Sequence, residues 1–165
     1  MAYDIDFRER GQLKLHIRKF LLYPPYWTDV KNRFNHRLNW RSIKFAKRNL
    51  NRLPNDKGIY CFVVVPDYPN FFPNKYLFYV GQTTRTLKER FGEYLNDQEG
   101  KGKPRPKIFE MLSFYKNCLH FYYASISSNS QIDEVEQKLL NSFVPHINTD
   151  IPVAKIKREL RNIYE

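Results

Sequence analysis

Two short apolar runs most constrain the fold of this 165-residue chain. One extends from Gly58 to Val65 and the other from Tyr76 to Val80, and both are rich in β-branched and aromatic residues. The segment between them, residues 66–74, is rich in proline and asparagine and is predicted to form a loop. The two runs therefore predict an antiparallel hairpin, with a tyrosine near a glycine in each strand.

The rest of this half of the chain alternates between helix-like and strand-like patterns. Apolar residues at helical spacing predict helices over residues 86–96, 108–116, 131–143 and 153–163, and a third strand is predicted over residues 119–127. We therefore expect an α+β fold in which a three-stranded, mostly antiparallel sheet is flanked by helices. The proposed division is an N-terminal extension (1–57), a central module (58–149) and a C-terminal helix (150–165).

The N-terminal extension is predicted to be mainly helical and is strongly basic. A short helix over residues 12–22 would end at Pro24 and Pro25, and a longer helix over residues 29–50 would begin at Thr28. Residues 1–57 contain 14 Lys and Arg against 5 acidic residues, which is most of the net charge of +11. Such a basic surface favours a polyanion, with an ordinary solvated face as the alternative.

Basic residues recur in two places that we predict to contact nucleic acid. On the predicted long helix they fall on one face, and in residues 97–107 they follow a glycine- and proline-rich loop. The candidates are Arg33, Arg37, Arg41, Lys44, Arg48, Lys101, Lys103, Arg105 and Lys107.

Cysteine usage and hydropathy bear on the compartment. Cys61 and Cys118 are the two cysteines, and we expect both to be buried free thiols in a reducing, cytoplasmic setting. No apolar run approaches the roughly 20 residues of a membrane helix. The N-terminus lacks the apolar segment of a signal peptide. We therefore expect no membrane partner.

Two charged residues fall on predicted core-facing stripes. Arg90 lies between Leu87 and Tyr94, and Glu136 lies between Ile132 and Leu140. A charge on such a stripe is costly unless it is paired or used in function. The pair could form a salt bridge with each other, or each could serve a functional site.

An ordered set of motifs resembles the GIY-YIG nuclease family. Gly58-Ile59-Tyr60 and Tyr79-Val80-Gly81 resemble the paired strand signatures, with valine replacing one isoleucine. Leu87-Lys88-Glu89-Arg90 resembles the arginine-bearing helix, and Tyr94 falls where family members carry Tyr or His. Glu136 is followed by the apolar pair Leu139-Leu140 and then by Pro145 and Asn148, and this order resembles the later glutamate segment. The resemblance covers residues 57–149.

The resemblance implies a role for each of these residues. Glu136 would hold Mg²⁺ or Mn²⁺, Arg90 would hold the scissile phosphate, and Tyr79 would orient or deprotonate the attacking water. Tyr60 and Tyr94 would assist. Gly58 and Gly81 would let the backbone come close, and Asn148 would tie the last loop to the sheet by side-chain hydrogen bonds.

One position departs from the family pattern. Many members carry a lysine three residues after the second tyrosine, whereas this chain has Gln82. A phenol has an ordinary pKa near 10, so a tyrosine that acts as a base needs a nearby cation. Lys57 and Lys88 are candidate substitutes for the missing lysine.

The resemblance implies a metal-dependent endonuclease acting on DNA, as a monomer or homodimer. Its substrate could be single-stranded, branched or loosely specific duplex DNA, in defence, restriction, repair or mobile-element biology. Two alternatives remain open: a non-catalytic nucleic-acid-binding protein on a nuclease fold, and a ribonuclease.

Overall fold

The computed structural model describes residues 13–33, 36–101 and 103–148, and their side chains except those of residues 29–33. The helix predicted over residues 153–163 lies outside these ranges. In chain order the elements are α1 (Pro24–Arg33), β1 (Arg41–Lys44), a 3-10 helix (Lys47–Arg52), β2 (Gly58–Val64), β3 (Tyr76–Thr83), α2 (Leu87–Gln98), α3 (Pro106–Phe114), β4 (Leu119–Ser125) and α4 (Asn129–Phe143).

The sheet is antiparallel, and its strand order is β1-β4-β2-β3. The predicted α+β fold is confirmed, but the sheet has four strands rather than three. β2 and β3 form the predicted hairpin, with Phe62 opposite Tyr79. The register shifts by one residue after Phe62, which leaves Phe78 between the positions that pair with Phe62 and Val63. Because β3 is the last strand in this order, it lies at an edge of the sheet and carries the second tyrosine motif along that edge.

The two faces of the sheet are covered by different helices. α2, α3 and the 3-10 helix cover the face that carries Tyr60, Phe62 and Phe121. α4 packs on β2 and β3 over the other face, which carries Ile59 and Val80. Because successive residues of a strand point to opposite faces, one hairpin supplies side chains to both layers.

The long helix predicted over residues 29–50 is wrong. α1 begins at Pro24, where a proline in the first turn needs no hydrogen-bond partner for nitrogen, and Thr28 lies inside it rather than capping it. Residues 41–44 form β1, which pairs with β4 over Arg41 to Lys44. The open edge of β4 and the burial of Phe45 outweigh the helical spacing of the charges. Residues 41–53 therefore belong to the sheet and core.

Polar capping residues set the positions at which α2 and α4 begin. Thr86 and Glu89 form a capping box at the start of α2, and Ser128 caps α4. The buried face of α2 is the predicted stripe of Leu87, Phe91, Tyr94 and Leu95. In α4, Val135 is buried, whereas Phe143 lies at the end of the helix, stacks on Trp27 and is partly exposed.

The structure shows the state of the two cysteines and the length of the helices in relation to a membrane. Both cysteines are free; Cys61 is buried, whereas Cys118 is only partly buried because it precedes β4 in a turn. Among the described residues, no helix is long and apolar enough to cross a membrane.

Candidate active site

Three buried or half-buried side chains meet on the face of the sheet that α2 covers. The hydroxyls of Tyr60, on β2, and Tyr94, on α2, lie 2.9 Å apart. Arg90, one helical turn before Tyr94, donates from Nε to the Tyr60 hydroxyl at 3.0 Å and from Nη2 to the Tyr94 hydroxyl at 3.2 Å. The guanidinium also lies over the Tyr94 ring, 4.8 Å from its centre. Because Arg90 and Tyr94 are four residues apart on α2, they lie on the same side of the helix and both reach the Tyr60 hydroxyl.

A glycine makes room for this arrangement. Gly81 lies directly opposite Tyr60 in the hairpin. A Cβ atom there would lie 2.6 Å from the Tyr60 hydroxyl and 2.8 Å from a ring carbon of Tyr79. Gly58 is equally constrained, because a Cβ atom there would meet the carbonyl oxygen of Ala124. Both glycines therefore allow the close approaches that the sequence predicted.

Arg90 has an acidic partner, but that partner is not Glu136. Its Nη1 binds Glu93 at 2.6 Å, and Glu93 also binds Arg85 at 2.6 Å. The alternative of a salt bridge between Arg90 and Glu136 is therefore wrong, since the two residues lie on helices that cover different faces. Glu93 was not among the predicted site residues; its spacing of three from Arg90 on the predicted helix was the available signal.

A cation lies beside Tyr79, but it is neither of the two lysines that the sequence suggested. Arg105, the residue before α3, donates from Nη2 to the Tyr79 hydroxyl at 3.0 Å, and its guanidinium lies 5.7 Å from the ring centre. The two candidate substitutes do not fill this place: Lys57 binds Asn129 at the start of α4, and no hydrogen bond joins Lys88 to Tyr79 in the described residues. We call Tyr60, Tyr79, Arg90, Tyr94 and Arg105 the tyrosine–arginine cluster.

The protonation states of this cluster follow from burial. Burial raises the pKa of Tyr60 well above its ordinary value, and Arg90 only partly offsets this. Burial also raises the pKa of Tyr94. For Arg90 burial acts to lower the pKa, but the two tyrosines and Glu93 raise it further than burial lowers it. Tyr60 and Tyr94 are therefore neutral phenols, and Arg90 remains a cation.

The predicted metal ligand lies in a second, separate group. Gln82, on β3, donates to Asp133 at 2.9 Å, and Glu136 follows Asp133 by three residues on α4. Burial raises the pKa of Glu136; the Gln82 amide partly offsets this and the charge of Asp133 adds to it. The side-chain oxygen of Gln82 is buried and has no hydrogen-bond partner among the described residues. We call Gln82, Asp133 and Glu136 the carboxylate group.

No hydrogen bond or ion pair in the described residues joins the two groups. Among those residues, no set of three or more His, Cys, Asp or Glu side chains forms a metal cluster. A metal at Glu136 would therefore depend on one or two carboxylates and the Gln82 oxygen, with substrate or water oxygens completing its shell.

Asn148 ties the last loop to the edge strand. Its side-chain oxygen accepts from the Val80 nitrogen at 2.9 Å, and its side-chain nitrogen donates to the Val80 carbonyl at 2.8 Å. These two bonds replace the neighbouring strand that an edge residue lacks. They tie the last loop to the edge of the sheet through the backbone of Val80.

The remaining basic candidates are dispersed rather than aligned on a helix. Arg41 and Lys44 lie on β1, and Arg48 lies on the 3-10 helix. Lys101 pairs with Glu99. Arg37, Lys103 and Lys107 are exposed, and the side chain of Arg33 lies outside the described residues. The single helical stripe of basic residues is therefore wrong, because the helix that would carry it does not form.

Comparison with known proteins agrees with this geometry. The family model of the GIY-YIG catalytic domain matches residues 57–148, which include both groups of the site. Searches of the curated proteins and of the solved structures gave no match. The matched segment is more than half of the chain, and the chain belongs to the GIY-YIG family.

Proposed function

We propose that this protein is a metal-dependent endonuclease that hydrolyses phosphodiester bonds, with DNA as its substrate. The observation that carries the proposal is the tyrosine–arginine cluster, in which three phenols and two guanidiniums converge on the edge of the sheet. Hydrolysis of a phosphodiester requires cations at the phosphate, an oriented water and a stabilised leaving oxygen. The cluster offers groups suited to the first two tasks.

The two arginines would bind the scissile phosphate. The three hydrogen bonds from Arg90 to Tyr60, Glu93 and Tyr94 use three of its five N–H groups. One N–H on each terminal nitrogen is left for phosphate oxygens, which matches bidentate recognition. Arg105 approaches from another element, so that a phosphate at Tyr79 would lie between two cations.

Tyr79 would orient the attacking water. Its hydroxyl accepts a hydrogen bond from Arg105, which leaves its own proton free to donate and an oxygen lone pair to accept from water. Tyr60 and Tyr94 are neutral phenols whose hydroxyls bind each other and Arg90, so they suit a positioning role. Of the three, Tyr79 would therefore be the residue that takes the proton of the water, which requires its phenolate form beside the Arg105 guanidinium.

The carboxylate group fits a hard divalent cation. Glu136 offers a half-buried carboxylate with a raised pKa, and the buried Gln82 oxygen has no hydrogen-bond partner in the part of the chain that the structure describes. Oxygen donors of this kind suit Mg²⁺ or Mn²⁺, and a cation there would reverse the cost of ionising Glu136. When bound, such an ion would stabilise negative charge on the phosphate and the leaving oxygen. Glu136 would hold it, and Gln82 and Asp133 would position Glu136.

A cleavage panel tests the proposal and its alternatives. Single-stranded, duplex and branched DNA and RNA of matched sequence would be incubated with Mg²⁺, with Mn²⁺ and with EDTA, and the ends mapped. We expect metal-dependent cleavage of at least one DNA substrate. Cleavage of RNA alone would instead identify a ribonuclease, and tight binding without cleavage would identify a non-catalytic binding protein.

A matched pair of variants tests the arginine at Tyr79. Arg105→Gln removes the cation beside the phenol, whereas Lys103→Gln removes an exposed cation from the same loop. We expect Arg105→Gln to reduce single-turnover cleavage about 10²-fold, the scale of one lost transition-state donor. Lys103→Gln should change it less than about threefold, as expected of a screened surface charge. Equal effects of the two variants would contradict the role of Arg105.

A further inference from the structure

The loop between β2 and β3 presents aromatic rings to solvent. Tyr68, Phe71 and Phe72 are 69%, 58% and 69% exposed. The Phe71 and Phe72 rings are stacked on each other, with centres 4.1 Å apart and planes 28° apart. Exposed apolar rings grouped in this way are uncommon on a soluble surface and mark a contact site.

A basic groove lies at the same end of the sheet. It borders β1 and the 3-10 helix, encloses about 560 Å³ and is lined by Ser42, Ile43, Lys44, Arg48, Asn49 and Arg52. Three of these side chains are exposed cations. Among the described residues, no ion pair joins Lys44, Arg48 or Arg52 to an acidic side chain. Their charge is available to an external anion.

The groove and the loop are connected through β4. Lys44 lies opposite His120 in the β1–β4 pair, and Val64, the end of β2, lies opposite Leu119. Lys75, at the end of the loop, places its ammonium 5.2 Å from the centre of the Tyr122 ring. Burial lowers the pKa of His120, and the charges of Lys44 and Lys75 lower it further. We call Phe71, Phe72, Lys75, Lys44, Arg48 and Arg52 the aromatic–basic surface.

We propose that the aromatic–basic surface binds a single-stranded segment of nucleic acid, with a base stacked on Phe71 and Phe72 and the backbone following the cations to the groove. Cations that track a backbone together with aromatic rings that take bases are the combination that binds single strands. A paired duplex keeps the faces of its bases stacked inside the helix and cannot offer them to Phe71 or Phe72. The proposal rests on the proposed nuclease function and adds a substrate preference to it.

The position of the surface suits a strand that continues beyond the cleavage site. Tyr76 follows the loop directly, and Tyr79 lies three residues further along β3, which is about 10 Å at strand spacing. The groove borders β1, three strand positions from β3, or about 14 Å across the sheet. Both separations correspond to a few nucleotides rather than to a remote site.

Conservative variants separate base stacking from simple apolar contact. Phe71→Leu with Phe72→Leu keeps apolar bulk but removes planarity, whereas Phe71→Tyr with Phe72→Tyr keeps the planes. The probe is an oligodeoxythymidylate of about 12 nucleotides, bound in EDTA so that no cleavage occurs. We expect the leucine pair to weaken binding about tenfold or more, as the loss of stacking predicts, and the tyrosine pair to bind within about twofold of the unmodified protein. Equal binding by the leucine pair and the unmodified protein would overturn the proposal.

The contribution of the groove cations is measured separately, through the salt dependence of binding. Lys44→Gln with Arg48→Gln should reduce the slope of log affinity against log salt by roughly 0.7 per lost contact, the value for single strands. An unchanged slope would contradict the proposed contact between the groove and the backbone of the bound strand. A duplex that binds more tightly than the single strand at equal length would overturn the preference. Because these measurements are made without metal, they stand or fall independently of cleavage, which is tested in the panel above.

Discussion

The two halves of the candidate site differ in how completely their polar groups are satisfied. In the tyrosine–arginine cluster, every hydroxyl has a partner, and Arg90 is held by three side chains. In the carboxylate group, Glu136 has no cation in the described residues, its pKa is raised by burial, and a buried oxygen of Gln82 lacks a partner. The first half is preorganised by the fold alone. The second keeps a carboxylate and an amide oxygen that the described residues leave unsatisfied.

This difference has a physical basis in where each half lies. The cluster joins β2 and α2, which share a continuous apolar layer, so its hydrogen bonds form in a low dielectric and strengthen each other. The carboxylate group joins the edge strand to α4, where Glu136 is half-exposed and water can reach it. Substitutions in the two halves should therefore separate effects on chemistry from effects on stability.

The largest expected effect is loss of cleavage on removal of the Glu136 charge. Glu136→Gln keeps the shape but cannot hold a divalent cation, and we expect single-turnover cleavage to fall by about 10³-fold or more, since metal stabilisation of the phosphate charge is lost. Glu134→Gln on the same helix is the matched control, because Glu134 is exposed and pairs with Lys138. Cleavage by the unmodified protein should also vanish in EDTA. Undiminished cutting in EDTA would contradict the metal role.

Arg90→Lys should have the next largest effect. A lysine keeps the charge but loses the fork that binds Tyr60, Glu93 and Tyr94 together, so both the phosphate contact and the cluster are weakened. We expect a loss of about 10²- to 10³-fold in single-turnover cleavage, comparable with the removal of a preorganised donor. Arg85→Lys is the control, since Arg85 shares the Glu93 partner but has no hydrogen bond to a tyrosine hydroxyl among the described residues. A similar loss in both variants would mean that Glu93, rather than the phosphate, explains the effect.

Two tyrosine variants sharpen the comparison within the cluster. Tyr79→Phe should reduce cleavage about 10²-fold with little change in melting temperature, if its hydroxyl orients water. Tyr94→Phe should reduce cleavage less than about tenfold, but should cost about 1 kcal/mol of stability because it removes hydrogen bonds from a buried network. Thermal unfolding and single-turnover rates, measured on both proteins, decide between these outcomes. If Tyr79→Phe cleaves within a few-fold of the unmodified protein, the base is not Tyr79.

The smallest effect concerns the pH dependence of stability. Since the folded-state pKa of Glu136 is raised, the carboxyl favours folding while protonated, and that contribution is lost as pH rises through the folded pKa. Glu136→Gln should therefore be slightly more stable than the unmodified protein at pH 7, by roughly 2 °C in melting temperature. The difference should disappear below the ordinary glutamate pKa of about 4.3. A variant that is less stable at pH 7 would show that Glu136 is already paired.

The sequence predicted most of the central module because its signals there are local. The hairpin follows from two β-rich runs around a proline-rich loop, and the core face of α2 follows from the helical spacing of its apolar residues from Leu87 to Leu95. Arg90 and Glu136 were recognised because a charge within an apolar stripe conflicts with burial. The family motifs then linked residues that lie far apart in the chain.

The sequence was least informative where long-range contacts outweigh local pattern. Residues 29–50 have helical spacing, yet residues 41–44 form β1 because the edge of β4 offers a ladder of hydrogen bonds that no local signal reveals. The sequence predicted Arg105 only as one cation of a basic loop, and the hydrogen bond to Tyr79 forms only because tertiary packing brings the start of α3 to the sheet.

The amino-acid sequence by itself determined the elements of the catalytic module and the residue types of the site, because spacing and burial preference are properties of short segments. The tertiary structure decided which of those residues share hydrogen bonds: Arg90 with Glu93 rather than Glu136, Tyr79 with Arg105, and Gln82 with Asp133. These pairings depend on distances between elements that the chain brings together only on folding, and such distances are set by packing over the whole core.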